Sequence, residues 1–419
     1  MAELDWHAGR GDLEGLTLLE RSPENEGIDL VALRAWRQSR VRAEMAARGI
    51  DAVILSDPVS IRYATGARNM QVFSMRNAPA RYLVLTADRS ILYEFTGCAH
   101  LADGLETIDE VLPAETASFV AAGPHIATRE RRWAERMEAL LGELCGRRAT
   151  VGLERLNAGA AIALSSRGVR IVDAQEPLEM ARCIKSAEEM KCVAASLRAT
   201  ERGVAELRAA IRPGLTEVEL WSVLHRSVIA QNGDYIETRL LNAGERTNPW
   251  FQESGDKVIG EDELIALDTD VVGCHGYYAD FSRTFHAGPG RPSDGQRELY
   301  AVAMEQLHHN IDLLRPGLSF RDYAHGAWDI PERYHANRYY LSAHGCGMTG
   351  EYPYLYHADD FPDAGYDGEI LPGMTICVES YIGEEGGHEG VKLEQQLLVT
   401  ETGTELLSRF PFEDELLAA

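Results

Sequence analysis

No two of the seven cysteines in this 419-residue chain form a C-x-x-C pair. Cys98, Cys145, Cys183, Cys192, Cys274, Cys346 and Cys377 are odd in number and widely spaced, which excludes a disulfide framework and implies a reduced, cytoplasmic compartment. Basic residues are scarce: 41 Lys and Arg against 66 Asp and Glu leave a net charge of -25, which argues against nucleic acid or an anionic membrane surface as a partner. The acidic excess is spread along the chain rather than gathered in a tail, so most of it reads as a solvated, repulsive surface. No apolar run approaches the roughly 20 residues that span a bilayer, and the first thirty residues lack the basic-then-apolar layout of an export signal. Apolar residues, at 45%, are ample for globular cores, and the length exceeds what one core supports, so two domains are expected.

Residues 1–29 read as an irregular N-terminal arm. Leu30, Leu33, Val41 and Met45 then recur at helical spacing, Gly49 closes the helix, and Ala52-Val53-Ile54-Leu55 follows as a buried strand. Further strand-like runs at Tyr82–Leu85, Ile91–Tyr93 and Thr150–Leu153, the last after an amphipathic helix near 129–145, make an α/β domain over 30–178. A capping box at Ser186-Ala187-Glu188-Glu189 opens a long helix in the second domain, 179–419. That helix stops at Arg212-Pro213-Gly214-Leu215-Thr216, and the phrase returns as Arg315-Pro316-Gly317-Leu318-Ser319, again between two helices. The repeat predicts an internally duplicated domain.

The chemistry concentrates between Ile265 and Thr284. An apolar strand carries Asp268 and Asp270 at i and i+2, turns through Gly273 and Gly276, and returns with Asp280. Side chains alternate across a strand, so the first two share a face, and a hairpin return brings the third alongside. Three carboxylates crowded on a sheet repel one another and cannot be buried uncompensated, so a cation is expected. Downstream lie His344 in Ser342–Gly347, Glu379 after the apolar run Met374–Val378, and Glu394 in Val391-Lys392-Leu393-Glu394. One imidazole among five carboxylates suits two divalent transition-metal ions drawn from Fe, Mn, Zn and Co. A metal-free binding module would need missing ligands, and all six positions are filled.

These residues carry a resemblance. With the Arg-Gly-Ile-Asp-Ala entry at 48–52, Ile61–Gly66, Ile184–Glu189, Gly276-Tyr277, Arg283-Thr284, His344–Gly347 and Pro372-Gly373-Met374, the chain resembles the pita-bread metallopeptidase and creatinase superfamily from residue 30 onward. The resemblance implies an α/β creatinase-like N-terminal domain, an α+β duplicated pita-bread catalytic domain, two metals on the six matched residues, and a homodimer acting on a small molecule. The chain departs from the superfamily pattern at Asp270, where a Gly is usual, at Glu351, where proline-specific members carry a histidine, and around Asn248. The Asp-x-Asp hairpin, Ile236–Leu241 and Arg246–Glu253 are similar to the DddP-type dimethylsulfoniopropionate lyase branch, which implies release of dimethyl sulfide and acrylate. That branch is expected to place an aspartate base where this chain has Gly350. Glu351 stands in as the expected base, with hydroxide generated at the metals as the alternative, and His344 is both ligand and catalytic residue. Phe73, Trp250, Tyr339 and Tyr340 are the aromatic residues expected to hold the sulfonium. The alternative activity is hydrolysis of a peptide or small amide, as in Xaa-Pro aminopeptidases and creatinases.

Overall fold

A computed structural model describes residues 27–71 and 80–417; most of the arm and Phe73 lie outside the described residues. The chain divides into two compact units, Asp29–Arg182 and one containing Cys183–Ala419.

In the first unit the Asp29 carboxylate accepts from the amides of Val31 and Ala32 and so starts helix α1 (Leu30–Ala47), which buries Leu33, Arg37, Val41 and Met45 along one stripe. The sheet comprises β1 (Ala52–Leu55), β2 (Tyr82–Thr86), β3 (Ser90–Glu94), β4 (Glu110–Pro113), β5 (Thr150–Leu153) and β6 (Arg170–Asp173), in the order β4-β3-β2-β1-β5-β6. Helices α2 (Pro58–Thr65), α3 (Ile126–Leu144), α4 (Ala158–Ser165) and α5 (Gln175–Arg182) complete it. Strand β1 is buried throughout, and Trp133, Ala134, Met137 and Leu141 of α3 pack into the core beside it. Just past β5, Glu154 accepts hydrogen bonds from Ser60 Oγ at 2.6 Å and Asp57 N at 3.2 Å. Burial, reinforced by the Asp57 charge, pushes its carboxyl up to about 7.

In the second unit a reciprocal Ser186/Glu189 box opens α6 (Ala187–Ala210), and a Thr216/Glu219 box opens α7 (Glu217–Ala230) after the Pro-Gly break. The same sequence of parts recurs as α8 (Asp294–Leu313), the second break and α9 (Phe320–Gly326). The duplication extends to individual bonds. Gly214 N donates to Ile259 O at 2.9 Å and Ile259 N to Leu215 O at 2.8 Å, while Gly317 N donates to Ile370 O and Ile370 N to Leu318 O, both at 2.9 Å. Thr216 bridges Val258 as Ser319 bridges Glu369.

Among the described residues the strands of this unit form three sheets. Two are small: β11-β10-β7, from Tyr278–Ala279, Val271–Val272 and Tyr235–Ile236, and β12-β9-β8, from Ser282–Ala287, Glu263–Asp268 and Leu241–Ala243. The third has the order β14-β13-β15-β16-β17, with ranges Gly350–Leu355, Ala343–Cys346, Thr375–Gly383, Gly390–Val399 and Thr404–Leu406. The mixture of duplicated helices and sheets is the pita-bread architecture that the resemblance implied. Among the described residues no helix is long and apolar enough to cross a membrane.

Candidate metal centre

Strand register brings the candidate ligands together. Asp268 ends β9 opposite Ser282 of β12, Glu379 of β15 faces Glu394 of β16, and His344 of β13 pairs with Cys377 of β15. Two groups of ligand atoms result, each with its members within 4.8 Å of one another: Asp268, Asp270 and Asp280, and Asp280, His344, Cys377 and Glu394. Asp280 belongs to both. His344 Nε2 lies 3.3 Å from Glu379 Oε1, which ties that carboxylate to the second group. Asp280 Oδ1 and Glu394 Oε1 are buried without a hydrogen-bond partner, a costly state for carboxylate oxygens that a cation between them would relieve. The donor set fits divalent ions.

The hairpin differs from the sequence expectation at one point. Asp268 and Asp270 do not lie on one continuous strand: β9 stops at Asp268, and Asp270 sits at φ 39°, in the left-handed region. An aspartate tolerates that region at a cost when its surroundings hold it there. Here the Thr238 hydroxyl bonds the Asp270 carboxylate and Glu237 N donates to Asp270 O at 3.0 Å. The kink still delivers Asp270 to the carboxylate group.

Burial dominates the electrostatics. It raises Asp280 far above the usual carboxylate range, helped by Glu394, Asp270 and Asp268; it raises Asp270 likewise, helped by Asp268; and it lifts Asp268 to about 6 against the pull of Lys392. Burial alone would lower Lys392 and His344, but the surrounding carboxylates outweigh it and hold both cationic.

Lys392 is the residue that sequence reasoning passed over. Fully buried, its ammonium lies 2.5 Å from Glu379 Oε2, 3.1 Å from Glu394 Oε2, 3.3 Å from Asp268 Oδ2 and 2.7 Å from Ser282 Oγ. The signal was present, because residues two apart on a strand share a face and Lys392 stands two before Glu394. Aromatic rings close over the ammonium, with Tyr339 at 5.0 Å and Trp250 at 6.0 Å from Nζ to the ring centroids. Phe251 links Tyr339 and Tyr340 at 5.1 and 6.0 Å. Of the four expected aromatic residues, Trp250 and Tyr339 thus lie over the ammonium that the carboxylates hold, Tyr340 packs beyond them at 5.1 Å from Tyr339, and Phe73 is outside the described residues. Tyr354, also unforeseen, is the cross-strand partner of His344, its ring 6.3 Å from the imidazole.

Glu351 does not join the cluster. It pairs across the sheet with Gly345, the neighbour of His344, and a register shift falls between those two residues. Its buried carboxylate accepts from Lys185 Nζ at 2.8 Å and from Met348 N at 2.8 Å. The structure therefore places the expected base in a buried ion pair beside the cluster rather than among the candidate ligands. Gly350, by contrast, pairs with Cys346, and a Cβ there would meet nothing within 4 Å. Asn248 is committed structurally: its amide donates to Glu384 O at 2.8 Å and Gly387 O at 3.0 Å, and its oxygen accepts from Tyr381 and Asn337, both at 2.9 Å.

Comparison with known proteins matches this geometry to a family. The profile of metallopeptidase family M24 matches residues 191–401, and that of the Creatinase/Prolidase N-terminal domain matches residues 37–184. The chain is 30% identical to a protein named dimethylsulfoniopropionate lyase DddP from Roseobacter denitrificans, over 100% of this chain and 91% of that one. It is 31% identical to a protein of the same name from Roseovarius nubinhibens, over 93% and 88%. An Xaa-Pro dipeptidase from Bacillus anthracis shares the fold at TM-score 0.72 with 21% identity, covering 91% of this chain and 99% of that one. The chain belongs to metallopeptidase family M24, carrying a creatinase/prolidase N-terminal domain before the metallopeptidase domain.

Proposed function

We propose that this enzyme is a metal-dependent carbon–sulfur lyase that splits dimethylsulfoniopropionate into dimethyl sulfide and acrylate. The observation that carries the reading is the likeness, over nearly the whole chain, to two proteins named as lyases of that substrate. Asp268, Asp270, Asp280, His344, Glu379 and Glu394 would hold two divalent ions, of Fe, Mn, Zn or Co, and these would supply Lewis acidity toward the substrate carboxylate. The charges support two ions: four positive charges against five carboxylates leave one negative charge, which the Lys392 ammonium cancels. Tyr339 and Trp250 already turn their faces to a cation, as a sulfonium requires. In the elimination the C–H bond next to the carboxylate breaks, its electron pair forms the new C=C bond, the C–S pair leaves with the sulfide, and the proton would pass to hydroxide that the bound ions would supply. Glu351 is given no part in the proton transfer, because Lys185 holds it. The same reading takes the enzyme as a cytoplasmic homodimer, with 30–178 as the creatinase-like domain and 179–419 as the catalytic one.

A second reading, hydrolysis of an Xaa-Pro peptide or small amide, is favoured by one observation, the absence of a carboxylate at Gly350. Purified full-length protein should be given dimethylsulfoniopropionate and, separately, Xaa-Pro peptides, each with and without chelator. Headspace dimethyl sulfide that disappears on chelation is the expected result; peptide cleavage without sulfide would transfer the assignment to the hydrolase.

A further inference from the structure

Cys377 is fully buried, packed with Val272, Tyr278 and Cys346 on one side and within reach of Asp280, His344 and Glu394 on the other, and has no part in the chemistry above. It stands two residues before Glu379 on β15, so the two side chains share a face. It is also the direct cross-strand partner of His344. Its sulfur is already turned inward, donating weakly to Asp280 O at 3.8 Å.

We infer that Cys377 is a thiolate ligand to the ion held by Asp280, His344 and Glu394, and that it biases this half of the centre toward a thiophilic ion such as zinc, cobalt or ferrous iron over manganese or magnesium. The inference rests on the metal-centre reading above and adds to it a donor and one negative charge beyond the balance struck there. One ligand atom from each of the four residues lies within 4.8 Å of all the others. A tetrahedral site with zinc-like bond lengths spaces its ligand atoms by roughly 3.5 Å, so a small inward movement closes the set. Two of those residues bring Asp280 Oδ1 and Glu394 Oε1, which make no hydrogen bond; Glu394 Oε1 lies 3.6 Å from His344 Nε2. Glu379, the carboxylate nearest His344 Nε2, has Oε2 taken by Lys392 at 2.5 Å. On coordination the S–H bond breaks, the sulfur binds the ion, and the proton passes to solvent. Soft sulfur donors favour the thiophilic ions named, whereas an all-oxygen and imidazole set would not discriminate in this way.

Cobalt(II) supplies the test, because its spectrum reports ligand type without any substrate. Full-length protein stripped of metal and loaded with cobalt should show visible ligand-field bands and a near-ultraviolet thiolate-to-cobalt charge-transfer band. Cys377→Ser should keep the visible bands, which also certify its fold, and lose the charge-transfer band; Cys346→Ser should keep both. Visible bands without a charge-transfer band in the wild-type protein, a result that needs no variant, would overturn the thiolate ligand while leaving the carboxylate–imidazole centre intact. So would a band that survives Cys377→Ser. Absence of cobalt uptake would remove the metal centre itself, and the thiolate with it.

Discussion

Lys392 is a buried cation that the cluster cannot lose without consequence. Removing one partner from a buried charge network leaves the others uncompensated, which costs about 3–5 kcal/mol. Lys392→Met should therefore lower the unfolding free energy of the metal-free protein by that order in urea titrations, and a divalent ion should restore part of the loss; an unchanged free energy in chelator would mean the ammonium balances nothing. The buried Lys185–Glu351 pair separates structure from catalysis in the same way. Glu351→Gln should destabilise by about 3–5 kcal/mol, whereas Lys185→Met with Glu351→Leu should recover most of that and keep turnover. Turnover lost in the stable double variant would return Glu351 to the role of base. Gly350 has room for a side chain on the strand beside Cys346, so Gly350→Asp should fold and should raise sulfide release by about 100-fold, the lower end of what a positioned base contributes. The candidate ligand positions were picked out because buried acids demand compensation, although the period-two argument failed for Asp270, which lies off the strand that ends at Asp268. The same rule pointed to Lys392 and Cys377, each two residues from a candidate ligand. The pairing of Glu351 with Lys185 was not legible, because the register shift between His344 and Gly345 is a tertiary feature with no local signature. Thr238 reaches Asp270 from 32 residues away, a contact that nothing in the local sequence announces.

Elements were more legible than contacts. The boxes at Ser186 and Thr216 open helices because a hydroxyl and a glutamate three residues on satisfy free amides at the helix start. The strand carrying Asp268 was drawn too long, since the interruption is a left-handed backbone held by Thr238 rather than a glycine or proline. In the N-terminal unit the turn after β5 sets a pH dependence through Glu154, whose carboxyl is raised from 4.5 to about 7. Between those values the folded chain binds more protons than the unfolded chain, so stability is greatest at the acid end and falls as pH rises through about 7. The loss should approach about 3 kcal/mol over that window, and Glu154→Gln should flatten it in urea titrations taken at successive pH values. A slope that persists in the variant would assign the effect to another group.

The whole molecule holds its potential ligands in two copies of one motif: Asp268, Asp270 and Asp280 come from the first, His344, Glu379 and Glu394 from the second. An ion that binds only the folded form stabilises it by about 2.7 kcal/mol at a hundredfold excess over Kd, so divalent metal should raise the melting transition of the Cys183–Ala419 unit in calorimetry of the full chain. Asp280→Asn should abolish that rise, because Asp280 belongs to both ligand groups.

Each repeat on its own is half a claw. Severing the chain between Ala287 and Ser293 would leave two fragments, neither able to sequester an ion firmly, and cation uptake would then report on their reunion. The cluster thus straddles the seam between the two copies, acids alone on one side, and on the other a histidine, a lysine and a thiol beside two glutamates.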